Sequence, residues 1–272
     1  MPEKLYEELE EKALNIRREV VKMIHMAASG HPGGALSLTD ILTVLYFKEL
    51  NVDSSNPKDE NRDRFVLSKG HASAALYATL SEKGFFEKDE LLGFRKLNCM
   101  LQGHPDMKNI PGVDMSTGSL GQGLSAANGM AIAGKLDKKD YRVYCVLGDG
   151  EIQEGQVWEA AMTSSKYKLD NLCVIVDNNN LQIDGTIDKV MNPYPIDKKF
   201  EAFGFNVINI DGHNYSQIIN AFEQAKNTKN KPTAIIAKTI KGKGVSFMEN
   251  QAGWHGKAPN DEQFEQAMQD LL

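Results

Sequence analysis

Two short polar strings carry the chemistry of this sequence: Gly148-Asp149-Gly150 and, thirty residues beyond Asp149, Asn178-Asn179. Each follows an apolar run, YRVYCVL before the first and LCVIV before the second. Both turns should therefore leave the same carboxyl edge of a parallel sheet, the edge at which α/β sheets bind ligands. The Asp149 carboxylate, the Asn179 amide oxygen and the Leu181 main-chain carbonyl are hard oxygen donors. Such donors hold Mg²⁺ while leaving coordination sites for phosphate oxygens. The glycines beside Asp149 allow a sharp turn with N–H groups open to an anion, and the following helix would add the positive end of its dipole. Asp-Gly and Asn-Asn are also ordinary turn dipeptides; their shared strand-end setting is what makes them read as a metal-diphosphate clamp.

The elements that must position these turns follow from periodicity. Leu9, Ala13, Ile16, Val20, Ile24 and Ala28 recur at helical spacing, predicting a helix that ends at Ser29-Gly30. A second helix is expected from Ser37, with Ser37 and Asp40 as a capping box. RFVLS predicts a strand, and ASAALYATLSEKG a helix closed by Gly84. The stretch from Leu97 to Ser125 is irregular, and long loops in compact folds are commonly functional. Regular alternation follows: strand 141–147, helix 154–167, strand 172–176, helix 196–203, strand FNVINI, helix 214–226 capped by Asn214 and Gln217, strand TAIIAKT, and an acidic helix from Asp261. This pattern predicts βαβ units. The fold class is thus α/β, an open, mainly parallel sheet with helices on both faces, in one domain over residues 1–272.

Composition narrows the function. A 41% hydrophobic content supports a packed core, and 31 basic against 37 acidic residues give a net charge of -6 with no basic cluster. Nucleic acid is excluded as an expected partner. Of the three cysteines, Cys145 and Cys173 fall in predicted buried strands, as in a reducing cytoplasm. No segment reaches about 18 apolar residues, so no membrane span or exported leader is expected.

The strings SGHPGG, LSKGHAS, GHPD, STGSLGQG, GDGEIQEG, DNNNLQIDG, KGKGV and WHG occur in the order found in the N-terminal portion of transketolases. The chain resembles that family within the thiamine diphosphate enzymes, over nearly its whole length. The resemblance implies the thiamine diphosphate-binding fold, its PP domain, with an N-terminal helical extension. It implies thiamine diphosphate and Mg²⁺ (or Ca²⁺ or Mn²⁺) as cofactors, the metal held by Asp149, Asn179 and the Leu181 carbonyl. It places His71, Gly118, Leu120, Gly148, Gly150, Glu154, Asn179 and His255 around the cofactor, with Leu120 near the aminopyrimidine and Glu154 in a carboxylate network joining two active sites. His31, His104 and His255 would face the substrate as catalytic groups. His104 would hold a hydroxyl of the transferred two-carbon unit, and His31 and His255 the hydroxyl whose proton moves during carbon-carbon cleavage. His25 and His213 read as structural, Trp158 as sheet packing, and Lys238, Lys241 and Lys243 as either a solvated face or a cover over the diphosphate.

Transketolases also carry pyrimidine-binding (Pyr) and C-terminal domains, with the glutamate that activates the aminopyrimidine, and these have no counterpart here. The expectation is the N-terminal subunit of a split transketolase, acting on sugar phosphates in an α2β2 assembly with a separate chain that carries the Pyr domain. Competing expectations are a transferase of an unusual sugar phosphate such as a branched pentulose, a 1-deoxyxylulose-5-phosphate synthase or the α chain of a ketoacid dehydrogenase, and a non-catalytic cofactor-binding subunit.

Overall fold

The computed structural model describes residues 2–272. Five strands form one parallel sheet: β1 (Arg64–Leu67), β2 (Val143–Gly148), β3 (Leu172–Asn178), β6 (Asn206–Asp211) and β7 (Thr233–Lys238), in the order β1-β2-β3-β7-β6. A separate antiparallel hairpin, β4 (Leu181–Gln182) with β5 (Gly185–Thr186), follows β3 directly. The three central strands read as continuous apolar runs because parallel sheets are covered on both faces. Strand alternation divides their side chains. Tyr144, Val146, Cys173, Ile175 and Ile235 join one core cluster, and Val143, Cys145, Leu147, Val174 and Ile236 the other.

The first face is covered by α1 (Pro2–Met26), α2 (Pro32–Val44), α3 (Ser73–Lys83) and α8 (Tyr215–Asn227), with α9 (Asp261–Asp270) packed on α1. The second is covered by α4 (Gly123–Leu136), α5 (Gly155–Lys166) and α7 (Ile196–Ala202), while α6 (Ile187–Met191) continues from the hairpin. In α1 the predicted stripe is buried from Leu9 to Ile24, but the helix stops at Met26, and Ala28, with φ +47°, lies exposed beyond it. Gly84 caps α3 as expected. His25 stacks on Phe264 and Trp158 on Phe203, as packing residues do. Among the described residues no helix is long and apolar enough to cross a membrane.

Two capping expectations are corrected. α2 begins at Pro32, five residues before the expected Ser37, because proline suits the first turn, where its missing N–H costs nothing. Every residue of α2 is buried, and Ser37 and Asp40 serve long-range contacts instead of a capping box. Asn214 does cap α8 by accepting from the Gln217 N–H, but the Gln217 side chain turns to the Asp211 N–H and leaves the box open. Strands β2 and β3 run one and two residues further than expected, so Gly148, Asp177 and Asn178 lie in the ladder.

Asp40 holds the helical layer together. Its carboxylate accepts from Arg17 Nη2 at 2.6 Å, His213 Nδ1 at 2.7 Å and the Tyr215 hydroxyl at 2.8 Å, joining α1, α2 and α8. Burial by itself would raise this carboxyl, but Arg17 and His213 outweigh it and hold Asp40 well below the usual carboxylate range. Asp40→Ala strands the Arg17 charge in the interior, so urea unfolding at pH 7 should show a loss of about 3–5 kcal/mol. Because the folded-state pKa is depressed, this stabilisation is present above the ordinary carboxylate pKa of about 4 and is lost as pH falls below it. The gap between variant and wild type should therefore narrow at pH 3.

Candidate active site

The carboxyl ends of β1, β2, β3 and β7 each deliver a polar group to one place. β1 runs into Ser68-Lys69-Gly70-His71, β2 into Gly148-Asp149-Gly150, β3 into Asp177-Asn178-Asn179, and β7 into Thr239-Ile240-Lys241. Above them lies a cleft of about 410 Å³. His31, His71, Gly118, Leu120, Gly148, Asp149, Gly150, Glu154, Asn179, Leu181 and His255 all line it, as the sequence led us to expect. The ring centroids of His31, His71 and His255 stand 5.2–5.5 Å apart, forming a triangle of imidazoles. His104 stands beside the cleft without lining it. Gly118 has φ +146°, and a Cβ there would lie 3.0 Å from His104 Cδ2, so only glycine lets the two approach. Gly121, at φ +82°, gives Glu154 the same clearance.

Sequence reasoning missed the floor of this cleft. Lys69 Nζ donates to the Gly34 carbonyl at 2.8 Å and forms a short ion pair with Asp177. Asp177 is fully buried and also accepts from the Ser37 hydroxyl at 2.6 Å and from the Thr239 hydroxyl. Beside it, buried Glu151 accepts from the Gly121 and Gly148 N–H groups and from the Ser68 hydroxyl. A signal existed: Asp177 ends an apolar strand and Lys69 follows another, and charges in a two-sided sheet need partners. Of the three late lysines, Lys238 is exposed, Lys243 lies 3.6 Å from Glu249, and Lys241 is buried in the cleft.

The Gly148-Asp149-Gly150 turn does not leave its amides open to an anion. Gly148 N–H donates to Glu151, Asp149 N–H to the Asp177 carbonyl and Gly150 N–H to Asp149 Oδ1. Nor does a helix follow directly; a short turn over Glu151–Gln153 precedes α5. The positive charge in the cleft comes instead from Lys69 and Lys241.

Electrostatics follow from burial and neighbours. Burial and the adjacent Asp177 charge push Asp149 up to about 7. Burial and then Lys69 bring Lys241 down to about 8. Burial lowers all four imidazoles near the cleft: His31 to about 4, with help from Arg95, His255 to about 3, with help from Lys241, and His71 and His104 in the same direction. These rings are neutral at physiological pH.

The donor set suits a hard divalent cation. Asp149 keeps lone pairs beyond those taken by the Gly150 and Asn180 N–H groups, and the Asn179 amide oxygen is oriented by the Leu181 N–H at 3.1 Å. The Lys241 ammonium sits 3.1 Å from the Leu181 carbonyl, so that oxygen already attracts a cation. Among the described residues no three His, Cys, Asp or Glu side chains cluster as a metal site. One carboxylate, one amide and one carbonyl are the available oxygens, with the remaining coordination left to phosphate and water.

The family described as transketolase, thiamine diphosphate binding domain, matches residues 9–271. One subunit of the apulose-4-phosphate transketolase from Phocaeicola vulgatus is 43% identical over 265 residues, covering 97% of this chain and 94% of that protein. A 6-deoxy-6-sulfo-D-fructose transketolase subunit from a Clostridium species is 43% identical over 264 residues, covering 97% and 96%. The crystal structure of transketolase from Campylobacter jejuni matches with a TM-score of 0.91 at 40% identity, covering 97% of this chain and 42% of that one. The chain thus spans about two fifths of that enzyme. It belongs to the transketolase family, as its thiamine diphosphate binding domain.

Proposed function

We propose that this chain, as a single PP domain, is the N-terminal subunit of a split transketolase, and that it transfers a two-carbon ketol unit reversibly from a ketose phosphate to an aldose phosphate. The observation that carries this reading is convergence. Three neutral imidazoles meet the oxygens of Asp149, Asn179 and Leu181 in one cleft. Two relatives of matching length bear the names of transketolase subunits. Their names support a partner chain, which in our reading carries the Pyr domain in a cytoplasmic α2β2 assembly.

Thiamine diphosphate, when bound, supplies the carbon nucleophile and the electron sink. Asp149, Asn179 and the Leu181 carbonyl would hold Mg²⁺, or Ca²⁺ or Mn²⁺ in its place, against the diphosphate, and Lys241 would add positive charge. Gly118, Leu120, Gly148, Gly150, Glu154 and His71 would surround the cofactor. Leu120, at 38% exposure, and Glu154 are open to solvent, as groups awaiting a partner's surface would be. His31, His104 and His255 would hold the sugar's oxygens in register, and orientation of this kind is worth several orders of magnitude in rate.

Purified alone, the chain should show no ketol transfer between xylulose 5-phosphate and ribose 5-phosphate. Adding the Pyr-domain chain with thiamine diphosphate and Mg²⁺ should restore it, and turnover by the isolated chain would defeat the split-enzyme reading. Asp149→Asn should leave urea stability within about 1 kcal/mol of wild type, since the change removes one hydrogen-bond acceptor. It should also weaken Mg²⁺-dependent cofactor binding at least about tenfold, the loss of one charged ligand being worth at least about 1.4 kcal/mol. Calorimetry showing unchanged binding would remove Asp149 from the metal set.

A further inference from the structure

The two substrate-facing imidazoles share a feature that their chemistry as ligands does not require. His31 Nδ1 lies 3.4 Å from Arg95 Nη2, and His255 Nδ1 lies 2.9 Å from Lys241 Nζ. A guanidinium and an ammonium carry donors and no acceptor, so in both contacts the ring nitrogen must be the one that accepts. A neutral imidazole that accepts at Nδ1 carries its proton on Nε2. Both rings line the cleft, and for neither Nε2 is there a protein partner among the described residues.

We infer that Arg95 and Lys241 are positioning residues that lock His31 and His255 as Nε2–H tautomers, so that both present hydrogen-bond donors, not bases, to the ligand's oxygens. That the ligand is a sugar rests on the proposed transketolase function; the tautomers do not.

Arg95 is built for this task. Its Nη1 donates to the Ser29 hydroxyl at 3.1 Å, two residues before His31, and its guanidinium packs against Gly103, where a Cβ would come within 3.0 Å of Cζ. No carboxylate lies within ion-pair distance of Arg95 among the described residues, so its charge is directed at the ring and not at a counter-ion. Lys241 is held by the Leu181 carbonyl, which ties the His255 tautomer to the turn carrying the metal oxygens. Burial first, and then the cation each ring faces, lower both imidazoles, in agreement with this arrangement. His213 shows the opposite solution in the same chain. Its Nε2 accepts from the Ile240 N–H at 2.8 Å, so Nδ1 bears the proton donated to Asp40.

The consequence is chemical. An Nε2–H imidazole cannot take a proton through the atom it shows the ligand. It can stabilise negative charge developing on a hydroxyl or carbonyl oxygen, as preorganised donors do.

The test is long-range ¹H–¹⁵N correlation on the full chain labelled with ¹⁵N-histidine at pH 7, with His31→Gln and His255→Gln spectra for assignment and His213 as the internal Nδ1–H reference. His31 and His255 should both show the Nε2–H pattern. Arg95→Met should move the His31 tautomer ratio about tenfold toward Nδ1–H, the effect of losing one charge-assisted hydrogen bond, and leave His255 unchanged. Lys241→Met should do the reverse. Arg95→Lys, which keeps a cation, should preserve the wild-type pattern and guards against misfolding of the methionine variant. An Nδ1–H or imidazolium pattern in wild type, or ratios that ignore both methionine variants, would overturn the assignment. Correct tautomers in a chain that shows no ketol transfer with its partner would instead count against the proposed function alone.

Discussion

The ion pair between Lys69 and Asp177 is the constraint on which the rest of the site depends. Lys69 is 2% exposed and Asp177 not at all, and they join the ends of β1 and β3 across β2 while Ser37 and Thr239 bring in α2 and β7. Burying two charges costs several kcal/mol per ion before their attraction is counted, so such a pair is weak evidence for net stability. Its effect here is geometric. Removing either partner would leave a bare charge at the centre of the sheet edge, so three strand ends, of β1, β3 and β7, are tied to one another and to α2. Beyond burial, the largest influence on each group, the same pair shifts the groups above it: Asp177 raises Asp149, and Lys69 lowers Lys241 and His71.

Much of this was legible in the residues. The α/β class followed from apolar runs alternating with helical periodicity, and the strand-end turns from the polar strings after YRVYCVL and LCVIV. The shared cleft follows from parallel strands, since every such strand points its carboxyl end the same way. What escaped was long-range. Ser37 reads locally as a helix cap because Ser-x-x-Asp usually is one, yet its hydroxyl is taken by an aspartate 140 residues away. Lys69 and Asp177 were visible as charges beside apolar runs, but sequence distance hides which charge meets which. The turn amides around Asp149 were misjudged for a related reason. Glu151, only two residues on, folds back to occupy the Gly148 N–H, a choice fixed by Ser68 and Gly121 from distant elements.

Lys241 illustrates how burial separates the members of a lysine cluster. Lys238, Lys241 and Lys243 near glycines read either as a solvated face or as a cover over the diphosphate. Lys238 and Lys243 fit the first reading, while Lys241 is 2% exposed and stands between the Leu181 carbonyl and His255. A buried ammonium needs acceptors, and the loop after β7 places it where these two are close. One side chain thereby connects the oxygens suited to a metal with the imidazoles suited to a sugar.

Charge balance in the cleft also bears on how ligands enter. Asp149, Asp177 and Glu151 face Lys69 and Lys241, so buried charges of both signs meet at the floor of the cleft. A divalent cation arriving alone would meet the Lys241 ammonium on the Leu181 carbonyl and leave excess positive charge in a low-dielectric site. A diphosphate arriving alone would meet the Asp149 carboxylate with no counter-ion between them. Arriving together, the two would largely cancel each other's charge. Joint binding of metal and diphosphate would therefore disturb this set of charges less than either one alone.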